Sequence, residues 1–515
     1  MDAIDVGWLS IIPPIIAIVL ALITKEVISS LIVGILSGTL IYAFNTGGGI
    51  AEAIHVTTSL MAEKLGENSG IILFLAFLGA LVAVITMAGG SKAYGDWAGH
   101  KIKSKTGAQL GTSLLGALIF IDDYFNCLTI GTVMRPVADK YQISRAKLAY
   151  IIDATAAPVC IIAPISSWAA SVISQMDGLT VNGVPLNGME TFMATIPYNL
   201  YAILTLIMVI ILCVTPIEFG PMAQFEKAAR EGKGLGSTVV GDNEADEFSN
   251  MKISSKGKVF DLVIPIVALI IFAILSMLYV GGYFEGGMTL AEGFGNTDAG
   301  SALAIAGLGA LFVAFLLFVP RKVLSFKDFM AGIGVGVKSM VGAFIILTLA
   351  WTISGVCRDL LSTGEFVGHL VANSHMPAQI IPAVVFLVAG GLAFAMGTSW
   401  GTFGILIPIV TMICGAVAPE LVTAALAATL AGAVFGDHCS PISDTTILSS
   451  TGAGCPHMDH VSSQIPYTLV VAACCFIGYL IAGFTANVWI TLGSSILLLA
   501  TTLIVLNKLA KKQSK

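Results

Sequence analysis

Apolar residues run in long stretches at positions 8–24, 27–44, 70–89, 107–134, 146–176, 197–217, 259–283, 301–319, 331–355, 380–417, 421–453, 466–486 and 489–507. Each is long enough to cross a bilayer as a helix, so the pattern predicts an all-α polytopic membrane protein. Two stretches, 107–134 and 380–417, are interrupted near their middles by the polar runs IDDYFN (121–126) and GTSWGT (397–402). Interrupted stretches of this kind can enter and leave on one side as re-entrant hairpins. The stretches 146–176 and 421–453 carry APISSW (163–168) and GDHCSPISDTT (436–446), which predict broken helices. With both hairpins set aside, about eleven full crossings remain.

Charge placement supports the hairpins. With the N-terminus outside and the C-terminus cytosolic, 22 of the 25 Lys and Arg fall in cytosolic loops and the tail. Lys64 and Arg358 fall outside, and Lys338 sits low in a helix. A full crossing at either interrupted stretch would destroy this positive-inside asymmetry. The opening MDAIDVGW is acidic where a secretory signal is basic, so the first apolar stretch is expected to be a retained helix.

The chain also repeats itself. Ile196-Pro197-Tyr198-Asn199-Leu200 returns as Ile465-Pro466-Tyr467-Thr468-Leu469, an offset of 269. Ala98-Gly99-His100 returns as Val367-Gly368-His369 at 269, Ala108-Gln109 as Ala378-Gln379 at 270, and Ala163–Ser167 as Ser440–Asp444 at 277. Gly99 is expected on the cytosolic side and Gly368 on the external side, so the duplication is read as inverted. Inverted repeats with broken helices at the midplane mark secondary transporters. The expected organisation is a first repeat over 1–217, a cytosolic linker over 218–258, a second repeat over 259–488, and an extra C-terminal helix with a basic tail over 489–515.

Composition narrows the function. The chain is 56% hydrophobic and 11% charged, far below the roughly 25% charged of soluble domains. A net charge of −6 and the lack of a basic face exclude nucleic acid as a partner. Nine cysteines without CxxC spacing read as buried hydrophobes rather than disulfides or a zinc site. No Ser-His-Asp constellation, phosphate loop or HExxH is present, so no enzyme is expected, and no cofactor beyond Na+ and H+ as coupling ions. His457-x-x-His460, with Cys455 and Asp459 nearby, lacks further metal ligands and is read as a surface loop.

Intramembrane ionisable groups are expensive and mark function. Here they are Asp122, Asp123, Asp153, Asp437, His438 and Asp444. All but Asp153 lie in or next to a break, where freed carbonyls and Ser, Thr, Asn and Asp oxygens are hard ligands for an alkali cation. The adjacent Asp122 and Asp123 cannot both ionise cheaply in low dielectric unless a cation sits between them. A proton and a Na+ can therefore compete for that charge, and Na+ is expected at Asp122, Asp123 and Asn126. Counted as five acidic groups with no Arg or Lys, the site favours a cation over a free polyanion. A zwitterion is the alternative, its ammonium on an aspartate and its carboxylate on a half-helix N-terminus. Tyr124, Phe125, Trp168 and Trp400 beside the breaks are positioned to wall an organic ligand.

Residues 121–168, 397–409 and 436–454 together resemble the NhaC-type sodium/proton antiporter family of the wider ion transporter superfamily. The resemblance implies an elevator mechanism, in which hairpins and broken helices form a mobile transport domain against a scaffold that dimerises. By position it implies that Asp122, Asp123, Asn126, Thr398, Ser399 and Thr402 at the hairpin tips, with Ser166, Ser167, Ser443, Asp444 and Thr445 at the breaks, line the site. The expected function is Na+/H+ antiport in the cell (inner) membrane by a homodimer. The alternative is Na+- or H+-coupled exchange of an amino acid or an organic acid such as malate or lactate.

Overall fold

The computed structural model describes residues 3–24, 26–120, 123–164, 166–176, 179–181, 183–232, 253–363, 366 and 377–513. Asp122, residues 233–252 of the linker at 218–258 and the Val367-Gly368-His369 match lie outside the described residues. The first half runs α1 (Ile12–Thr24), α2 (Val27–Asn45), α3 (Ile50–Glu67), α4 (Ser69–Met87), α5 (Gly90–Lys101), α6 (Lys105–Leu118), α7 (Asp123–Lys140), α8 (Arg145–Ala154), α9 (Ala157–Cys160) and α10 (Ser167–Met176). The paired strands β1 (Thr180–Val181) and β2 (Val184–Pro185) follow, then α11 (Gly188–Thr195), α12 (Leu200–Val214) and α13 (Pro221–Arg230). The second half runs α14 (Phe260–Val280), α15 (Leu290–Gly295), α16 (Ala299–Phe318), α17 (Phe326–Ser339), α18 (Val341–Gly355), α19 (Ile381–Met396), α20 (Ser399–Val417), α21 (Val422–Cys439), α22 (Asp444–Ala453), α23 (His457–Thr485) and α24 (Val488–Gln513).

The chain is mostly helical, and its polar interruptions fall where the helices stop. Each interrupted stretch forms two helices, α6 and α7 in the first and α19 and α20 in the second. The stretch 421–453 breaks at Ser440–Ser443, between α21 and α22. The stretch 146–176 breaks earlier than APISSW, at Thr155, and resumes only at Ser167. Among the described residues nine helices are long and apolar enough to cross a membrane, or ten if the pair Gly188–Tyr198 and Leu200–Val214, bent by 45°, is one span. The difference from eleven has a physical source. The first helix has only 13 residues and 146–176 is broken, whereas Ala378–Met396 in the second hairpin is long enough on its own. Outward-facing residues such as Phe312, Leu497 and Trp489 are left for lipid, at 60%, 66% and 75% exposure.

Two placements correct the sequence reading. Residues 457–465 are not a surface loop: they open the 29-residue helix α23, with Pro456 at its N-cap and His460 fully buried. Lys147, one of the 22 cations expected in cytosolic loops and the tail, is buried on α8, its ammonium 5.6 Å from the centre of the Tyr467 ring. That arrangement fits an amphipathic side chain whose charge is held against an aromatic face.

Helix pairing repeats along the chain. α1 packs on α2 as α14 packs on α16, and α2 and α3 pack on α18 as α16 and α17 pack on α4. Likewise α7 contacts α22 as α20 contacts α10, and α12 contacts α21 as α23 contacts α8. Small residues permit the closest of these crossings. A Cβ on Gly131 of α7 would stand 2.3 Å from the Gly452 carbonyl carbon of α22, so the two backbones touch. The carbonyl end of α22 is then closed from the first half. Arg135 donates to Thr451 and Gly452, and Arg145 to Ala453, which sets cations against the negative end of the helix dipole.

After α12, α13 docks through a buried carboxylate. Glu226 accepts from the Ser144 amide at 2.8 Å and pairs with Lys105 at the start of α6. Burial opposes its ionisation, but Lys105 and the Ser144 donors outweigh burial and hold its pKa below the usual glutamate value. A depressed carboxylate stabilises the fold above its unfolded pKa and loses that contribution as pH falls through its folded value. Glu226→Gln should therefore lower the thermal midpoint in mild detergent at pH 7. It should also shrink the fall in midpoint that wild type shows as pH drops below about 4.5. Thermal denaturation across pH 3–8 checks both.

Candidate functional site

A cavity of about 450 Å³ opens where the start of α7, the tip between α19 and α20, and the start of α22 converge. Asp123 and Tyr124 reach it from α7, Thr398 and Trp400 from the hairpin tip, and Asp444 from α22. Lys64 and Glu67 of α3, Ile71 of α4, Trp351 of α18, Asp298 and Arg358 complete the polar and aromatic wall. The two halves of the chain are joined across it: the Tyr124 hydroxyl donates to Asp444 Oδ2. Trp168 Nε1 donates to Asp123 Oδ1 at 2.8 Å and fixes that carboxylate's orientation. Trp168 is fully buried behind Trp400, with ring centres 5.1 Å apart, so of these two only Trp400 faces the cavity. The side chains of Phe125 and Ser167 lie outside the described residues.

The second break is ordered by its own short side chains. Ser443 caps α22 by accepting from the Thr446 amide at 3.2 Å and meets Thr445 Oγ1 at 3.0 Å. Asp444 Oδ1 accepts from the Thr445 amide at 2.8 Å. Asp437, in the last turn of α21, accepts from Ser399 Oγ at 2.8 Å and so ties the hairpin tip to the break. The tip turns at Gly397, φ +68°, where a Cβ would stand 2.5 Å from the Ile442 carbonyl oxygen. Both the left-handed backbone and the close approach require glycine there. Thr402 is fully buried and donates to the Thr398 carbonyl at 3.0 Å.

On the first-half side, Ser166 caps α10 by accepting from the Ala169 amide at 2.9 Å and donates to the Cys160 carbonyl at 2.8 Å. Asn126 is buried, and its Nδ2 faces the carbonyls of Ile119 at 2.7 Å, Gly116 at 2.8 Å and Thr155 at 3.3 Å. It thus binds the turn of the first hairpin to the first break. Its Oδ1 is buried and has no hydrogen-bond partner among the described residues.

Asp153 and His438 belong to a different cluster, away from the cavity wall. Asp153 is fully buried and receives Gln464 Nε2 at 2.6 Å, Ser449 Oγ at 3.0 Å, His460 Nε2 at 3.2 Å and Thr446 Oγ1 at 3.3 Å. His438 Nε2 lies 3.8 Å from the carboxylate and 3.1 Å from the Asp153 carbonyl. Sequence reasoning missed His460 and Gln464. The signal was present as a polar stripe at 457, 460 and 464, one helical face opened by Pro456. It also missed Lys64 and Arg358 as cavity residues. Both had been placed on the external side, and both are in the wall, each paired with Asp359.

Helix breaks and carboxylates around a cavity in a polytopic helical protein fit a secondary transporter. Residues 159–484 match the Na+/H+ antiporter family, and the chain belongs to that family. It is 39% identical over 497 residues to an uncharacterised protein of Haemophilus influenzae, covering 94% of this chain and 93% of that one. It is 27% identical over 240 residues to the arginine/ornithine antiporter ArcD of Halobacterium salinarum, covering 44% of this chain and 42% of the relative. It is 30% identical over 186 residues to the malate-2H(+)/Na(+)-lactate antiporter of Bacillus subtilis, covering 34% and 36%. The protein is accordingly a multi-pass membrane transporter, with Na+ and H+ the coupled ions its family implies.

The Asn126 amide gives a direct test of the first hairpin. Asn126→Asp keeps the size but replaces the Nδ2 donor with an oxygen facing three carbonyls, each left unsatisfied at about 1–3 kcal/mol. The expected result is a fall of roughly 5 °C or more in thermal midpoint, with poor recovery of monodisperse protein on size exclusion. Asn126→Asp protein as stable as wild type would show that the amide does not hold the turn.

Proposed function

We propose that the chain is a Na+/H+ antiporter in which Asp122 and Asp123 of the first half and Asp437 and Asp444 of the second surround one exchange site. The observation that carries this is the single cavity into which both Asp123 and Asp444 open. Its lining holds four carboxylates, Glu67, Asp123, Asp298 and Asp444, against the two cations Lys64 and Arg358. That balance favours a cation, and one proton and one Na+ competing for the same carboxylates is the minimum chemistry of exchange. Asn126 Oδ1, the Ser399 and Ser443 hydroxyls and Thr398, Thr402 and Thr445 are the neutral oxygens we assign to the surrounding shell. Asp153, Ser166 and His438 stand behind it.

Alternating access by an elevator is the mechanism we favour. The repeated motifs, the repeated helix pairing and the two helix–turn–helix segments support an inverted duplication with mobile hairpins. Positive charge concentrated in the cytosolic loops supports an outside N-terminus. A homodimer through the scaffold is part of the same reading.

A second reading has its own support. A volume of about 450 Å³ is far more than a Na+ needs, and Tyr124, Trp351 and Trp400 offer aromatic walls. Lys64 and Arg358 opposite Asp123 and Asp444 would suit a small zwitterion, carried with Na+ or H+ coupling. Two relatives are named as antiporters of amino acids or organic acids.

Purified protein in liposomes separates the readings. A Na+ gradient should drive an internal pH change, and Asp123→Asn and Asp444→Asn should each reduce it tenfold or more while leaving the protein folded. Loss of a buried charge partner is typically worth several kcal/mol, enough for that effect. No Na+-driven pH change, with uptake of a labelled amino or organic acid, would overturn antiport of ions alone and establish the second reading.

A further inference from the structure

We propose that the adjoining ends of α14, α16 and α17 form a binding site for the headgroup of an anionic phospholipid. Three apolar spans end here: Phe260–Val280 begins, Gly300–Phe318 stops, and Phe326–Leu360 begins. Contacts of Arg321 with Asp261 and Phe260 bring the first two ends together, and the short connection 319–325 brings the third. Segments 253–261 and 319–328 carry five cations, Lys256, Lys258, Arg321, Lys322 and Lys327, against two carboxylates, Asp261 and Asp328. Asp261 is fully buried and engaged within the protein, accepting the Lys258 amide at 2.9 Å and Arg321 Nη1 at 2.5 Å. Asp328 accepts from Ser325 Oγ at 2.6 Å. The surface keeps an excess of positive charge.

The patch is built from beneath. Asp261 holds the Arg321 guanidinium carbon 4.6 Å from the centre of the Phe260 ring, and Lys258 Nζ lies 5.7 Å from the same ring. Lys256 Nζ donates to the Lys322 carbonyl at 3.1 Å and ties the two segments a second time. Arg321 uses only Nη1, which also faces the Leu317 carbonyl at 3.4 Å, so Nε and Nη2 donate to nothing among the described residues. Those two nitrogens share one edge of the guanidinium, the fork that meets two phosphate oxygens at once. Cations near other helix ends are spent on the protein: Lys105 on Glu226, Arg135 on the α22 carbonyls, Arg145 on Asp139 and Ala453, and Arg230 on Glu218. The contrast separates this surface from the ordinary positive charge of loops.

What lies next to the charges selects the occupant. Moving from these donors into the spans, the side chains of Val263 and Ile264 on α14, Leu316 on α16 and Phe326 and Met330 on α17 are exposed. A soluble anion uses the donors and leaves that apolar shelf bare, whereas a phospholipid sets its phosphate on the donors and its acyl chains on the shelf. The charge excess then discriminates among lipids, because a trimethylammonium cancels the phosphate charge of phosphatidylcholine and nothing cancels that of phosphatidylglycerol. This goes beyond the exchange site proposed above, and it holds whichever substrate the cavity carries.

The test uses the full chain in phosphatidylcholine nanodiscs doped with a trace of photoactivatable lipid, either phosphatidylglycerol or phosphatidylcholine, its reactive group near the headgroup end of one acyl chain. Crosslinked peptides are mapped by mass spectrometry. Phosphatidylglycerol should label the peptides holding 260–264 and 326–330 at least about fivefold more than phosphatidylcholine, the preference a single cation near the surface supplies. Lys258→Gln/Lys322→Gln/Lys327→Gln, which spares the Asp261–Arg321 pair, should cut that yield roughly tenfold or more. Lys103→Gln/Lys140→Gln/Lys227→Gln, which removes the same charge from exposed positions elsewhere, should leave it unchanged. Equal labelling by the two lipids, or equal loss in the two triple variants, overturns the proposal. Excess inorganic phosphate, with ionic strength matched by NaCl, should not reduce the yield; displacement by phosphate marks a site for a soluble anion and overturns it as well. If the patch variant does not fold, the lipid comparison and the phosphate competition in wild type decide. None of these measurements reads transport, so failure of the exchange reading leaves them standing.

Discussion

Removing a carboxylate from water and placing it among helices is tolerable only if donors surround it, and Asp153 shows how far that demand organises this protein. Its two oxygens collect side chains from α22 and α23, and its backbone carbonyl takes a third contact from α21. Four helices from both halves of the chain are thereby held at one point, by contacts that satisfy a carboxylate no water reaches. The breaks in α8–α10 and α21–α22 lie within a few residues of this point, so the irregular backbone is anchored where it is weakest.

The cavity is the complement of that arrangement. There the carboxylates are spaced around a volume, with Trp168 holding one oxygen of Asp123 and Tyr124 one oxygen of Asp444. Because Asp123 comes from the first half and Asp444 from the second, neither half alone makes the site. A ligand bound between them adds attraction between the halves, and its departure removes it, which is the elementary requirement for coupling occupancy to conformation.

Much of this was legible in the sequence because the membrane makes polar residues conspicuous. The second helix of each pair starts inside IDDYFN, GTSWGT and GDHCSPISDTT, whereas 146–176 already breaks at Thr155, before APISSW. Asp123 and Asp444 line one cavity, and Asp437 is bonded to Ser399 at the hairpin tip. What escaped notice was what polarity alone cannot sort. Histidine at 460 and glutamine at 464 stand beside charged and small residues that look like a loop, and only the helical period of α23 turns them inward. Lys64 lies on α3, an amphipathic helix with no long apolar run, so hydropathy gave no sign that it packs against the cavity. Asn126 reads as a ligand by type, yet three backbone carbonyls use its amide.

The two arginines that close α22 also bear on how the molecule is made. Arg135 and Arg145 bond carbonyls that lie 308 to 317 residues further along the chain. At a synthesis rate of about 5–20 residues per second, those carbonyls emerge roughly 15 to 60 s after the arginines. For that interval the first half is in the membrane with two guanidinium groups that have no helix end to meet, and with Gly131 facing no partner backbone. The first half therefore cannot complete its packing by itself, and the ribosome's pace sets how long an unfinished polar surface must be shielded from neighbouring chains.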